Sequence, residues 1–562
     1  MQIDISKLGY RWKGIYGSNV SYQKGDVVRK DGLVQSYTGS TWETMGSGQR
    51  NALNKNELLT KGTTQNLTGV AGQSLIVNGS GDLEFQYLDG RQSSAVKKLP
   101  VTRTGDCGQG YAQHYYGVIM TDGSVRMWGR QNVGQLGDGV YSDRHRSLPV
   151  SAAFPPGTPA IEHLTLGRDT AYAIDADGKL WSWGHNNYGQ LGRGNTTGNV
   201  VNNATPQLVT GKGELPANAV VTSVKHGGGY YGYFNVMCQT SDGKVYYWGA
   251  NNYCASGIPS TGTSNITSPK LVPKSEDITV VDYGTAAHYH QFSWLLDSTG
   301  RLYMAGETNS ISRINNNDNP NVEHQLWAPS EYDPVSKFVY DESDSHVDAG
   351  SQYYRRYMII TTNGNIWTWG QSQNNTSGTQ VQVPGSETWV ATLDTRMSSK
   401  TVIDGYATGG QYTQQVVLLD DGTIWGIGYD GAGSLPGHTN PTNQWQQLSL
   451  GNDNISIWGG GSRHGKWGQS MTSNNRLKTW GVDNRGFSGV GQDGTGYRGE
   501  ARFNRQILEV GNAGYIIDSE AYQCTYVISD DGNLYSCGVG HYGMLGREDD
   551  NEDHQCFSPV LF

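Results

Sequence analysis

Charge is scarce in this chain. Asp, Glu, Lys and Arg make up 16% of its 562 residues and leave a formal net charge of −10, where an average soluble protein carries about 25% charged residues. Such a balance offers no general attraction to nucleic-acid phosphates or anionic lipid, so neither is expected as a partner. No apolar run approaches the length of a membrane span, and membrane insertion is not expected. The start, Met1-Gln2-Ile3-Asp4-Ile5-Ser6-Lys7, lacks the charged-then-apolar layout of a secretory signal. A chain made in the cytoplasm and kept there until assembled is the expectation. Six cysteines (Cys107, Cys238, Cys254, Cys524, Cys537, Cys556) include no Cys-x-x-Cys pair, which argues for reduced, packed thiols. Also missing are a Gly-x-Ser-x-Gly elbow, a phosphate-binding loop, a His-Glu-x-x-His pair and a glycine fingerprint between strand and helix. These absences predict a non-enzymatic protein with no cofactor and no metal site. The acidic stretches Asn316-Asn317-Asp318-Asn319 and Glu548-Asp549-Asp550-Asn551-Glu552-Asp553 do not follow calcium-loop spacing and read as solvated loops.

Glycine and large aromatics are abundant: 78 Gly, 16 Trp and 34 Tyr. They recur in one arrangement. Val118-Ile119-Met120 reads as a strand, Asp122-Gly123 as a tight hairpin turn, and Val125 to Trp128 as the return strand, ended by Gly129. Asn132, Gly134, Gln135, Leu136 and Gly137 follow as a turn with one apolar plug. Copies end at Gly184, Gly249, Gly306, Gly370, Gly428, Gly481 and Gly538, spaced 53 to 65 residues apart. Eight units of that pitch, none able to bury its faces alone, mean a propeller or a solenoid. Pro-Val strands at Leu99-Pro100-Val101, Leu148-Pro149-Val150, Leu271-Val272-Pro273 and Ser558-Pro559-Val560 are expected outermost, where no ladder bond is asked of the proline nitrogen. One precedes the first hairpin and one ends the chain, so a ring closed by joining its two ends is expected.

Ahead of the repeats, residues 1–50 form an aromatic β module with Trp12, Tyr22, Gly25-Asp26-Val27-Val28, Tyr37 and Trp42. It resembles the chitin- and carbohydrate-binding modules of bacteriophage tail fibres. The resemblance implies that Trp12, Tyr22, Tyr37 and Trp42 stack on sugar, although a module this small also needs such rings as its core. Residues 51–97 read as a linker and a β hairpin turning at Gly79 to Gly81.

The Asp-Gly turn, the Trp-Gly strand end and the Asn-x-x-Gly-Gln-Leu-Gly loop resemble regulator of chromosome condensation repeats, over about residues 98–562. That family's fold is a β-propeller. The expected architecture is therefore all-β: a closed propeller of seven or eight four-stranded blades, eight favoured by the count, behind a small N-terminal β module. The match thins at Asn475, where the turn glycine is missing.

The connection between the first and second strand of each unit is loaded with rings and cations: Tyr111, His114, Tyr115, Tyr230, Tyr231, His288, Tyr289, His290, Tyr353, Tyr354, Arg355, Arg356, Tyr412, His464 and Tyr522. A repeat places equivalent loops on one rim, so these are the candidate receptor-binding residues. The alternative is that they fill the funnel and the seams. Together with the fibre-like head, this implies an exterior virion protein of a tailed phage, a tail fibre or receptor-binding protein. Its N-terminus would join tail, baseplate or capsid proteins, and its propeller would bind a host-surface glycan or protein. The alternatives are a cellular propeller scaffold or guanine-nucleotide exchange factor-like protein, and a decoration protein without a receptor role.

Overall fold

A computed structural model describes strands within residues 11–44 and 73–87, and residues 96–562 apart from connections at 103–113, 143–144, 199–202, 228–233, 252–253, 262, 287–290, 307–323, 327–333, 341–355, 371–379, 383–388, 392–399, 409–413, 429–433, 438–441, 462–465, 484, 492–496, 518–519 and 548–551. The chain divides into two compact units, 1–94 with 561–562, and 95–560. In the first unit, strands Arg11–Ile15, Asp26–Lys30, Leu33–Tyr37 and Trp42–Thr44 form a sheet in chain order. Its first pair is parallel. Gln73–Val77 and Leu83–Tyr87 pair as an antiparallel hairpin, with Val77 opposite Leu83.

The second unit is an eight-bladed propeller. Six blades are antiparallel sheets of four strands, as in Val221–Gly227, Asn235–Thr240, Val245–Gly249 and Ile266–Leu271 of blade 3, and the sheets of blades 2 and 5 carry a fifth strand. Eight blades, not seven, match the count of sequence units. First strands of adjacent blades face each other across the seams, through pairs such as Lys97 with Glu162 at 2.6 Å and Lys337 with Asp404. The first strands therefore stand nearest the axis and the fourth strands outermost. Leu148-Pro149-Val150 and Ser558-Pro559 do lie in fourth strands, His145–Ser151 and His554–Pro559.

Leu99-Pro100-Val101 does not lie in an outer strand. Val96–Lys98 is the first strand of blade 1, paired with Tyr115–Met120, and Val101–Thr102 runs parallel to the first strand of blade 2. No strand is shared between the ends: blade 1 is built wholly from the start of this unit and blade 8 wholly from its end. The ring closes instead by repeating the bonds that join every other pair of blades.

Two such latches exist, one on each rim. On the rim of the second-to-third-strand hairpins, the carbonyl of the Asp-Gly turn accepts a bond from the first strand of the next blade. Ile161 N donates to Gly123 O at 2.9 Å, Val221 N to Gly178 O at 2.8 Å and Val335 N to Gly300 O at 2.9 Å. Val96 N donates to Gly532 O at 3.1 Å across the closure. These turn glycines have φ near +80°, and a Cβ on Gly178 would lie 2.6 Å from Val220. The sequence demands glycine here because the turn is left-handed and abuts a neighbouring blade.

On the opposite rim, the plug loop of one blade is held by the third-strand Trp of the next. Trp183 Nε1 donates to Gln135 O, Trp248 Nε1 to Gln190 O, each at 2.8 Å, and Trp128 Nε1 to Met544 O at 2.7 Å across the closure. All three indoles are fully buried. A Cβ on Gly137 would meet the Trp183 indole at 2.8 Å and one on Gly192 the Trp248 indole at 3.0 Å, so the last glycine of the plug is the seat of the neighbour's ring. Where blade 8 has Cys537 in place of the Trp, its thiol donates to Phe487 O at 3.3 Å. Where blade 4 has Ala305, Ser293 Oγ from the adjoining strand donates to Ala255 O. The same carbonyl position is thus bonded at five seams.

Candidate functional site

The plug-loop rim also carries the first-to-second-strand connections. Its frame is set by the glycine that ends each third strand. Gly129, Gly184, Gly249, Gly306, Gly428, Gly481 and Gly538 take φ between 98° and 121°, and a Cβ on Gly129, Gly184, Gly249, Gly306, Gly481 or Gly538 would strike a carbonyl at the start of the second strand, that of His114 for Gly129 and of Asp169 for Gly184. The residue after the glycine then bonds that same carbonyl: Arg130 N to His114 O at 2.7 Å, His185 N to Asp169 O at 2.9 Å. Five rim loops are pinned at the root in this way, the others through Ala250 N to Phe234 O, Val482 N to Lys466 O and Val539 N to Gln523 O, so side chains just beyond these pins are held in fixed positions.

Of the predicted rim residues, two have described side chains and both are buried. Tyr115 is fully enclosed at the seam between blades 1 and 2, where its hydroxyl donates to Gly167 O at 2.9 Å and Thr170 O at 2.6 Å. Burial raises its pKa well above the ordinary tyrosine value, and the phenol stays neutral as a seam donor. His114 is buried beneath Tyr542, ring centroids 4.7 Å apart. Burial, with Arg130, His541 and Arg168 nearby, lowers its pKa to about 3, so the imidazole is neutral at physiological pH. Arg356 and Tyr522 lie in the second strands of blades 5 and 8. Tyr111, Tyr230, Tyr231, His288, Tyr289, His290, Tyr353, Tyr354, Arg355, Tyr412 and His464 lie outside the described residues. In the N-terminal module, Trp12, Tyr37 and Trp42 fall in strands, and Tyr22 lies outside the described residues.

A group that the sequence pattern did not single out comes together where blade 8 meets blade 1. Tyr542 belongs to the plug loop of blade 8, leans on the fourth strand of blade 1, and is 39% exposed. Around its ring stand the Arg130 guanidinium at 5.4 Å, His114 at 4.7 Å, His145 at 6.2 Å and His541 at 6.4 Å. Two of these come from strand ends of blade 1, one from the residue before its second strand, and one from the plug itself. The signal was legible only as His541-Tyr542 immediately before Gly543-Met544-Leu545-Gly546. Nothing in the chain order announces that this dipeptide meets residues 114, 130 and 145. Behind the group, Arg168 pairs with Asp169 at 3.6 Å. Burial raises the pKa of that carboxyl against the pull of Arg168, His185 and Arg130.

The repeat is recognisable by comparison. The regulator of chromosome condensation (RCC1) repeat matches residues 177–230, and a second description of the same repeat matches 161–190. Residues 161–230 thus match the RCC1 repeat. Human E3 ubiquitin-protein ligase HERC2 is 27% identical over 294 residues, 52% of this chain and 5% of that protein. The ultraviolet-B receptor UVR8 of Arabidopsis thaliana is 24% identical over 350 residues, 62% of this chain and 68% of that one. Thus the chain spans only a twentieth of the ligase's length but about two thirds of the receptor's. Among solved structures, Prp20p of Saccharomyces cerevisiae superposes with a TM-score of 0.47 at 15% identity, covering 78% of this chain and 86% of that one.

Proposed function

We propose that this RCC1-repeat propeller is a non-enzymatic recognition scaffold whose plug-loop rim is the binding face. The observation that carries the reading is the division of labour between buried and exposed residues. Seam bonds repeat from blade to blade on the same carbonyl position, whereas the exposed ring of Tyr542 with its flanking Arg130, His145 and His541 occurs once among the described residues. A rigid ring that presents unlike side chains from equivalent loops suits binding of a shaped partner.

In its finer form the proposal is an adhesin on the exterior of a phage virion, with the N-terminal region joined to tail, baseplate or capsid proteins and the propeller turned to a host-surface glycan or protein. The support is the resemblance of residues 1–50 to fibre modules, through Trp12, Gly25-Asp26-Val27-Val28, Tyr37 and Trp42. Purified full-length chain should bind host cells saturably and compete with particles for adsorption. Failure of both would remove the adhesin reading. The RCC1-repeat relatives favour a second reading, a cellular interaction propeller, which predicts instead that the chain retains a soluble protein from a cell extract without binding the cell exterior.

A further inference from the structure

Tyr542 is held with φ 57° and ψ 23° inside a short 3-10 turn, a conformation that L side chains rarely adopt. Three non-glycine residues have positive φ among the described residues: Cys254, Asn475 and Tyr542. Cys254 and Asn475 occupy places where other repeats have glycine, the plug glycine and the turn glycine. Tyr542 does not. Its counterparts Val133 and Tyr188 precede their plug glycines without a positive φ. The backbone is strained at this position where those two counterparts are relaxed, and the strain puts an aromatic ring on the surface. Strain of this kind persists where the surroundings over-determine it, and it gathers at binding sites.

The surroundings are chemically one-sided. A guanidinium and three imidazoles lie within 6.4 Å of the ring centroid, in a chain whose overall charge is −10. The nearby carboxylates pair with other arginines, Asp138 with Arg146 at 3.6 Å and Asp169 with Arg168 at 3.6 Å, and Arg130 acts on Asp169 only through its charge. Next to Arg130, Gln131 is 1% exposed and neither end of its amide has a partner. In equivalent positions Asn186 and Asn251 cap their own plug loops, accepting from Leu191 N at 3.0 Å and Ser256 N at 2.8 Å. Blade 1 has given up that cap, and its amide is buried beside the cationic group without a use inside the fold.

We infer that Tyr542, Arg130, His145 and His541 form a subsite for a carboxylate-bearing sugar at the junction of blades 8 and 1. The ring offers the apolar face on which a pyranose lays its C–H groups. Arg130 supplies the planar donor fork that a carboxylate takes up in two bonds. The imidazoles can donate to or accept from hydroxyls. An acidic peptide would use the Arg130 guanidinium but has no call on the strained ring, and for that reason the sugar is preferred. This inference rests on the plug-loop rim being a recognition face and names the ligand class for one part of it.

The test uses full-length chain and calorimetric or ligand-observed NMR titration with sialyllactose and with a hyaluronan tetrasaccharide, lactose being the neutral control and a poly-glutamate peptide the acidic one. At least one acidic sugar should bind saturably and at least tenfold more tightly than lactose or the peptide. Arg130→Gln should weaken that binding at least tenfold without moving Tm. Tyr542→Gly should weaken it as much while leaving Tm unchanged or raising it, because glycine adopts this backbone freely. Absence of saturable binding to both acidic sugars overturns the assignment, as does equal affinity for lactose or tighter binding of the peptide. A lowered Tm in Tyr542→Gly with sugar binding intact overturns it too, since the ring would then be a packing residue. If the chain competes for cells yet binds neither sugar, the rim proposal stands and only the sugar class falls. If it binds a sugar but not cells, the subsite stands and the adhesin reading falls.

Discussion

The two rims of the propeller solve one problem with different amounts of freedom. On the hairpin rim the latch is a backbone bond from a glycine turn to the next blade, and it appears in nearly the same form from Gly123 to Gly532. On the plug-loop rim the acceptor carbonyl is fixed but the donor is an indole at Trp128, Trp183 and Trp248, a thiol at Cys537 and a hydroxyl at Ser293. A backbone latch does not depend on a side chain, and among the described turns it departs from glycine at Asn475. A side-chain latch permits substitution, and where blade 8 meets blade 1 the loops around it present a strained tyrosine flanked by one guanidinium and by imidazoles. The seam is conserved in geometry where it is buried, and variety is confined to what lies beyond the pin.

The largest test of that contrast is removal of an indole latch. Trp183→Ala deletes a fully buried ring and its 2.8 Å bond, and should destabilise the propeller by about 3–5 kcal/mol in chemical denaturation. Trp128→Ala should lose a similar amount, because Trp128 makes the same bond across the closure. If Trp128→Ala costs less than about 1 kcal/mol while Trp183→Ala costs the full amount, the closing seam is not equivalent to the others and the ring is held elsewhere.

Acid should act on the plug-loop rim next. His324 is buried, with Nε2 2.8 Å from the Ser293 hydroxyl that latches blade 4 to blade 3. Burial, with Lys274 nearby, lowers its pKa to about 3, and His114 is lowered to about 3 as well. Both folded-state values lie below the ordinary histidine value of 6.5, so the unfolded chain takes up protons first. Their contribution is complete above about pH 6.5 and is lost as pH falls from there toward 3, on the order of 1–3 kcal/mol per histidine at pH 4. His324→Gln should flatten the fall in Tm between pH 6.5 and 4. An unchanged slope would show that this imidazole is not sheltered.

Most of the frame was legible in the sequence. The Asp-Gly dipeptide, the Trp-Gly strand end and the Gln-Leu-Gly plug announce strands, turns and blade number, because these glycines answer to a positive φ or a close neighbour that other residues rarely accommodate. What could not be read was which blade a motif serves. Leu136 and Gly137 look like the end of their own unit, yet they seat Trp183 of the next. The Pro-Val pattern misled for a related reason. Leu99-Pro100-Val101 copies an outer strand in composition, but it follows directly on the first strand of blade 1, and Val101 pairs parallel with Thr165 in the first strand of blade 2. The candidate subsite was the least legible part. His114, Arg130, His145 and Tyr542 are separated by up to more than four hundred positions, and only closure of the ring makes them neighbours.

The smallest expected effect compares two turns on the hairpin rim. Gly123 and Asn475 hold the same left-handed place in blades 1 and 7, with φ of 80° and 56°, and both carbonyls accept from the next blade, Ile161 N at 2.9 Å and Ile507 N at 3.1 Å. A side chain on Gly123 would run into Ala160, whereas Asn475 projects into an open polar pocket with Arg476, Asn504 and Arg505 on its walls. Gly123→Asn should therefore cost about 1–3 kcal/mol, the price of forcing a neighbouring blade aside. Asn475→Gly should change stability by less than about 1 kcal/mol, because asparagine tolerates this backbone and glycine's relief is offset by its greater freedom in the unfolded chain. Equal losses at the two positions would mean that the latch bond alone sets the energy of this rim. Unequal losses in the expected order would locate the difference in the space beside the turn, and would explain why blade 7 can dispense with a glycine that its siblings keep.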